Sequence, residues 1–408
     1  MRGCRVGIIG GGAAGLCAAV LLSRERVPVT VFEALPRVGK KLLATGNGRC
    51  NLSNLGVSPA RYRGDRDGIA AVLDGLSPAG VRDFFRSIGV YTYADEEGRV
   101  YPRSGTAAAV LDALRLYAAE HGAVIEAGAP VTAVRRTHDG FAIVRGDEEI
   151  AVGRLILASG GKAASAFDGY ALAKSLGHGV TPLSPALCPV PVAEDAVRSL
   201  KGLRTQAAVR LLASGVTVRE TRGEVQFADR ALSGICVFEL AGEAFVRRAR
   251  GERVALELDL LPEEDDPRAL LAALARAIPE RAAEDFLSGL VPKRVGMAVL
   301  RGAFGGPMTT PVRELPRRVL DGTAARLRGW RFTPSAAAPW SAAQVTHGGV
   351  PLPELGRGTL ESLRCAGLYI AGEALDVDGD CGGFNLHWAF ASAHAAAADI
   401  LRHLQKER

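Results

Sequence analysis

The stretch from Arg5 to Glu33, RVGIIGGGAAGLCAAVLLSRERVPVTVFE, restricts the fold more than any other. It joins an apolar run, a glycine cluster, a small-residue helical segment, a second apolar run and a closing acid. This order describes a βαβ unit that binds a dinucleotide. Gly10 permits a sharp exit from the strand, Gly12 removes the side chain that would hold backbone away from a pyrophosphate, and Gly15 lets the helix pack close to the sheet. Ala13 and Ala14 open that helix, whose free N–H groups and positive dipole end are expected to face phosphate. Glu33 lies 18 residues after Gly15, followed by Ala34, where a carboxylate can accept from ribose hydroxyls. An acid there disfavours a 2′-phosphate, so FAD or NAD is expected rather than NADP.

With 408 residues the chain can build two or three domains and bury a large core without disulfides. Its seven cysteines contain no CxxC pair, which fits a reducing compartment. No apolar run is long enough to span a bilayer and the start lacks a signal-peptide pattern, so a soluble cytoplasmic protein is expected. The formal net charge of +6 is unevenly spread. Between Lys293 and Arg331 nine basic residues, Lys293, Arg294, Arg301, Arg313, Arg317, Arg318, Arg326, Arg328 and Arg331, face only Glu314 and Asp321. Charge alone favours a solvated face with some ion pairs; the sharper expectation is a surface that contacts the phosphate backbone of a polyanion. Trp330 is then either a base-stacking residue or a core residue.

Strand-like runs recur at Arg5–Ile9, Val29–Phe32, Val124–Glu126, Phe141–Val144, Leu155–Ala158 and Leu368–Ala371. Helical spacing marks Ala107–His121 and Phe384–Gln405. Between them the pattern changes: Leu203–Phe227 alternates, with turn signals at Ser214-Gly215 and Arg222-Gly223, and Pro262–Leu327 is helical. The fold class expected is therefore α/β, a Rossmann-like FAD-binding domain of the glutathione-reductase type built from both chain ends. Residues 1–186 and 340–408 form it. A β-rich insertion takes 187–261 and 328–339, and a helical subdomain takes 262–327.

Several loops have the chemistry of a flavin site. Gly39, Lys40 and Lys41, then Thr45, Gly46, Asn47, Gly48, Arg49, Cys50 and Asn51, combine permissive backbone with cationic and amide side chains. The cations are read chiefly as FAD phosphate ligands, with substrate phosphate and solvent as the other readings. Val131 suits backbone contact with adenine, and Ala158, Ser159, Gly160 and Gly161 end another strand. Gly372 and Glu373 lead through Asp376, Asp378 and Asp380 to Gly383, Phe384 and Asn385, which open the terminal helix. A helix start aimed at the N1–O2 edge of a reduced flavin stabilises its negative charge. The acids are expected to cap or turn the chain rather than bind metal.

On these residues the chain resembles the BaiN/RdsA-like bacterial FAD-dependent oxidoreductases, also called the aminoacetone oxidase family. The resemblance adds Asp168-Gly169-Tyr170, Ala173–His178, Gly223–Phe227, Leu232-Ser233-Gly234, Val345–Val350 and Gly367–Leu386. It implies non-covalent FAD, NAD(P)H as a transient reductant, and an inserted β-barrel-like domain with a helical subdomain. It also implies reduction of a uridine C5–C6 double bond in large-subunit ribosomal RNA, giving dihydrouridine, or action on an unsaturated steroid or an amine. The chain departs from the family at Lys162–Phe167, where the loop is short.

Uracil reduction requires a hydride at C6 and an acid to protonate C5. Cys50 is the first candidate acid, beside Arg49; a buried structural cysteine is the competing reading. His347 and Cys381 are the other candidates.

Overall fold

A computed structural model of the chain describes residues 4–163 and 169–407. Asp168 and residues 164–167 of the short loop lie outside the described residues. The described residues form two compact units, one running to Leu183 and resuming at Val345, the other Ser184–Gln344.

In the first unit, strands Val124–Ala127, Val29–Glu33, Cys4–Ile9 and Glu148–Leu157 lie side by side in parallel. The ten-residue strand Glu148–Leu157 carries two neighbours in tandem on its other edge. Its first half pairs antiparallel with Gly140–Arg145, and Leu155–Leu157 pair in parallel with Leu368–Ile370. A strand contributed from residue 368 onward is thus stitched directly to one that ends at 157. The apolar runs of these strands are nearly continuous, as a sheet covered on both faces requires.

The helix Ala13–Ser23 is buried over all but its first residue, and it packs against the C-terminal helix Phe384–Lys406. Alanines on both, including Ala18, Ala19, Ala393 and Ala396, are buried and let the backbones approach closely. The helix Ala107–Glu120 stops at Gly122, whose φ of +90° supplies a left-handed exit. No helix among the described residues is long and apolar enough to cross a membrane.

The second unit is built on a six-stranded antiparallel sheet, ordered Val190–Pro191, Ala231–Ser233, Val216–Ala228, Arg204–Ala213, Val254–Asp259 and Trp330–Phe332. A bridge between Val192 and Pro334 joins its two edges. Ser214-Gly215 makes the expected hairpin turn, with both residues left-handed. Arg222-Gly223 does not turn. Those residues continue the long strand opposite Ala207 and Ala208, and Gly223 leaves room for Cys236. Helices Pro267–Ala277, Lys293–Arg301 and Arg317–Arg328 share one apolar core with this sheet, in which Val295, Val299 and Leu327 join Phe227, Trp330 and Phe332.

Candidate functional site

The strands ending at Ile9, Glu33, Leu157 and Ile370 deliver their carboxyl ends to one edge of the parallel sheet, where ligands of such sheets bind. Sterics dictate the glycines that follow. Gly10 has φ +109°, and a Cβ there would lie 2.3 Å from the Ala158 carbonyl oxygen; at Gly15 it would lie 1.9 Å from the Gly10 oxygen. Beside Gly12 and Gly160 no atom of the described residues, chain neighbours and the helix's own backbone aside, lies within 4 Å of that position, so the backbone there has room for a ligand. Gly12 caps the first helix without a side-chain bond, leaving the N–H groups of Ala13, Ala14 and Gly15 unused by the helix ladder.

Glu33 closes this end. Its Oε2 accepts from Gly11 N–H at 2.8 Å and its Oε1 from Leu35 N–H at 2.8 Å, and each oxygen keeps a lone pair that suits a ribose hydroxyl. Ala34 lies half-buried between them. Gly128 and Ala129 donate to the carbonyls of Leu35 and Glu33, carrying Val131 to the same end of the sheet.

The cationic loop behaves differently from its sequence reading. Lys41 does not extend toward a phosphate: its ammonium is paired with Glu373, 332 residues later. Glu373 Oε1 also accepts from Thr346 N–H at 2.8 Å, while the Thr346 hydroxyl accepts from Ala163 N–H at 2.9 Å. A Cβ on Gly161 would strike both Thr346 Oγ1 and Glu373 Oε1, so Glu373 organises three loops. Lys40 is exposed. Gly46, Asn47, Gly48 and Cys50 all have left-handed backbone, and Thr45 closes the turn by donating to Leu42 O at 2.6 Å. Arg49 is exposed and lies over the Tyr101 ring at 4.6 Å.

Cys50 requires a correction. Its thiol is fully buried in the apolar core rather than presented at the open edge, and burial pushes its pKa up to about 12 against a weaker hydrogen bond from Thr45. A group enclosed this way cannot reach a substrate carbon. Cys50→Ala is therefore expected to leave turnover near that of the parent, as steady-state kinetics would show.

Two buried polar atoms at the site, Asn51 Oδ1 and Ser159 Oγ, find no hydrogen-bond partner among the described residues. Leaving a buried polar atom unsatisfied costs roughly 1–3 kcal/mol, so both mark a place where a further polar group completes the structure. The C-terminal helix begins at Gly383, φ +101°, where a Cβ would lie 2.4 Å from Ser53 O and 2.6 Å from Asn51 Oδ1. That start carries no side-chain cap. Gly372, φ +74°, approaches Ala14 and is held by Ser392 Oγ and the Trp388 indole. Two uncapped helix starts, open glycine backbone, a ribose-suited carboxylate and orphaned polar atoms together fit FAD.

Asn385 and the acidic turn are also corrected. The Asn385 amide folds back on its own turn, accepting from Gly379 N–H at 2.8 Å and donating to Gly379 O at 2.9 Å, so its side chain is not offered to a cofactor. None of the acids caps the terminal helix. Instead Asp378-Gly379 pair antiparallel with Tyr62-Arg63, and Arg63 donates to Asp380 Oδ1 at 2.6 Å, with Arg61 3.6 Å from its other oxygen. Arg61 also lies over the buried ring of Phe384. Arg61 and Arg63 are absent from the sequence reading because nothing local marks them; strand pairing 315 residues apart supplies their role.

His347 gains from the same arrangement. Its Nδ1 lies 2.6 Å from Asp378 Oδ1, while Nε2 has no hydrogen bond to any described residue. Burial disfavours the charged ring, but the Asp378 hydrogen bond and the Asp378 and Asp376 charges outweigh it, raising the pKa above the ordinary histidine value. Neighbouring Thr346 touches both the Gly161 and Glu373 loops.

In the second unit four of the nine basic side chains of the segment from Lys293 to Arg331 meet carboxylates. Lys293 pairs with Glu284 and Asp285, Arg313 with Glu280, Arg331 with Glu257, and Arg328 lies near Asp259, while Arg294 donates to Ser199 O. Trp330 is 2% exposed and belongs to the core, which removes the base-stacking reading. Arg301, Arg317, Arg318 and Arg326 have no carboxylate partner among the described residues.

Comparison with known proteins places these features in context. The HI0933-like protein Rossmann domain model matches residues 4–399. The chain is 34% identical to the 3-dehydro-bile acid delta(4,6)-reductase of Clostridium scindens, over 96% of this chain and 98% of that protein. It is 28% identical to the ribosomal RNA dihydrouridine synthase of Haemophilus influenzae, over 97% and 98% respectively. Among solved structures, 3-ketosteroid delta1-dehydrogenase from Sterolibacterium denitrificans shares the fold with a TM-score of 0.52 at 12% identity, covering 98% of this chain and 99% of that one.

Proposed function

The chain belongs to the HI0933-like Rossmann family and is a flavin-dependent oxidoreductase, and from that premise we propose that it reduces a carbon–carbon double bond conjugated to a carbonyl in a small unsaturated ketone of the steroid class. The His347–Asp378 pair carries this reading. Such a reduction adds a hydride at the carbon β to the carbonyl and a proton at the α carbon. FAD, when bound and reduced by NAD(P)H, supplies the hydride. The chain must supply the proton, and His347 holds one at an Nε2 free of described partners.

Asp378 favours the charged form of that ring, raising its pKa, and fixes its orientation through Nδ1. Arg63, 3.7 Å from the other Asp378 oxygen, keeps the carboxylate in place. Glu373 and Lys41 hold the Gly161 and Thr346 loops together, so the donor rests on a braced frame. The steroid assignment is supported by the 34% identity, over nearly the whole length, to a bile acid reductase.

A histidinium donor is lost as pH rises through its pKa, so turnover is expected to fall on the alkaline side. Asp378→Asn removes the carboxylate that raises this pKa. The alkaline limb is then expected to move down by about one pH unit or more, as a charge at this range implies. An unmoved limb counts against His347 as the titrating donor.

A second reading, uridine reduction in ribosomal RNA, uses the same chemistry, because the uracil C5–C6 bond is conjugated to the C4 carbonyl. The unpaired Arg301, Arg317 and Arg318 favour it. Anaerobic assays with NAD(P)H and either a 3-keto-4-ene steroid or unmodified large-subunit RNA separate the two. Steroid reduction with unaltered RNA supports the primary proposal, and dihydrouridine formation without steroid turnover overturns it.

A further inference from the structure

In the second unit, an open pocket of about 410 Å³ lies between the helix Arg317–Arg328 and the Gly302-Ala303 turn that follows the helix Lys293–Arg301, with Arg318, Gly322, Arg326 and Gly329 in its wall. Its charged lining is two guanidinium groups and no carboxylate.

Arg326 is the more enclosed of the two. Its guanidinium lies 5.5 Å from the centre of the buried Trp330 ring on one side and against Gly302 on the other, where a Cβ would fall 2.4 Å from Cζ. Its Nε is buried with no hydrogen-bond partner among the described residues. Burial opposes its charge, lowering its pKa, yet no neighbouring acid offsets that cost. Other basic side chains of this segment, such as Lys293, Arg313 and Arg331, found carboxylates. Partly buried charges are ordinarily paired, so a lone guanidinium slotted between glycine and indole leaves the place of a counter-ion open.

We propose that this cavity binds a phosphate group between Arg318 and Arg326. A planar guanidinium presents a fork of N–H donors that matches the oxygens of phosphate. The volume accommodates an organic portion attached to the phosphate. The cavity is separate from the oxidoreductase chemistry, and its test does not depend on that reading.

Two variants that keep the fold test it. Gly302 has φ −70°, so Gly302→Ala introduces no backbone strain but displaces the movable end of Arg326. Arg318 is exposed, so Arg318→Gln spares the core. The flavin-loaded full chain is titrated calorimetrically with inorganic phosphate and, separately, with a short single-stranded RNA, and thermal melting verifies folding. Saturable binding of phosphate, weakened at least tenfold in both variants, is expected and identifies a free phosphorylated ligand as sufficient. RNA binding weakened equally in both variants, with phosphate alone too weak to saturate, places the phosphate on a polynucleotide strand. Absence of saturable binding in both arms, or binding unchanged in either variant, overturns the proposal.

Discussion

Replacing His347 with glutamine is expected to lower turnover of the conjugated substrate by roughly 10²- to 10⁴-fold, the usual worth of a positioned general acid. Glutamine retains a donor of similar reach but carries no transferable proton at neutral pH, so binding should change little while the chemical step slows. Reduction of the bound flavin by NAD(P)H should proceed at the parent rate, because that half-reaction needs no proton from this ring. Stopped-flow measurement of the two halves checks this. A loss confined to flavin reduction, or no loss at all, would remove His347 from the role. The prediction rests on the ring's surroundings: an Nδ1 bonded to Asp378, two nearby carboxylates and an unengaged Nε2.

Gly383→Ala is expected to give protein that folds poorly and retains little flavin. At φ +101° an alanine is strained by roughly 1–3 kcal/mol. Overpacking against Ser53 O and Asn51 Oδ1, both closer than 3 Å to the new methyl, adds a further penalty of about 1–3 kcal/mol. Yielding would mean moving the start of the terminal helix away from the site. Urea unfolding and visible flavin absorbance after gel filtration measure the two consequences. A variant with parent stability and full colour would show that this helix start does not determine cofactor retention.

The backbone of the site was legible in the sequence because steric rules act locally. Gly10 and Gly15 had to be glycine to let strand, turn and helix meet, and the positive φ values at Gly46, Gly48, Gly372 and Gly383 fall in loops that the glycine content had marked. Side-chain destinations were not legible in the same way. Lys41 reads as a phosphate ligand until Glu373 arrives from the far end of the chain. Asn385 reads as a cofactor amide until its own turn folds under it. Cys50 sits in the loop read as flavin-binding, but which face of that loop it occupies is fixed by packing against the core, not by the residues beside it. The ion pairs that charge alone favoured for the run from Lys293 to Arg331 form at four of its cations, but their acids, Glu257, Asp259, Glu280 and Glu284, precede the run in sequence, so the pairing could not be read from the run itself.

The tandem seat on the strand Glu148–Leu157 has a consequence for biosynthesis. While a ribosome is still translating residues near 340, the N-terminal half already has its glycine turn but lacks both Leu368–Ile370 and the long terminal helix against which the first helix packs. Its apolar edge and the buried face of that helix stay uncovered until residues 368–406 emerge. Capture of the prosthetic group is therefore a late event in the life of the nascent chain, and the preceding interval is when chaperones have most to shield.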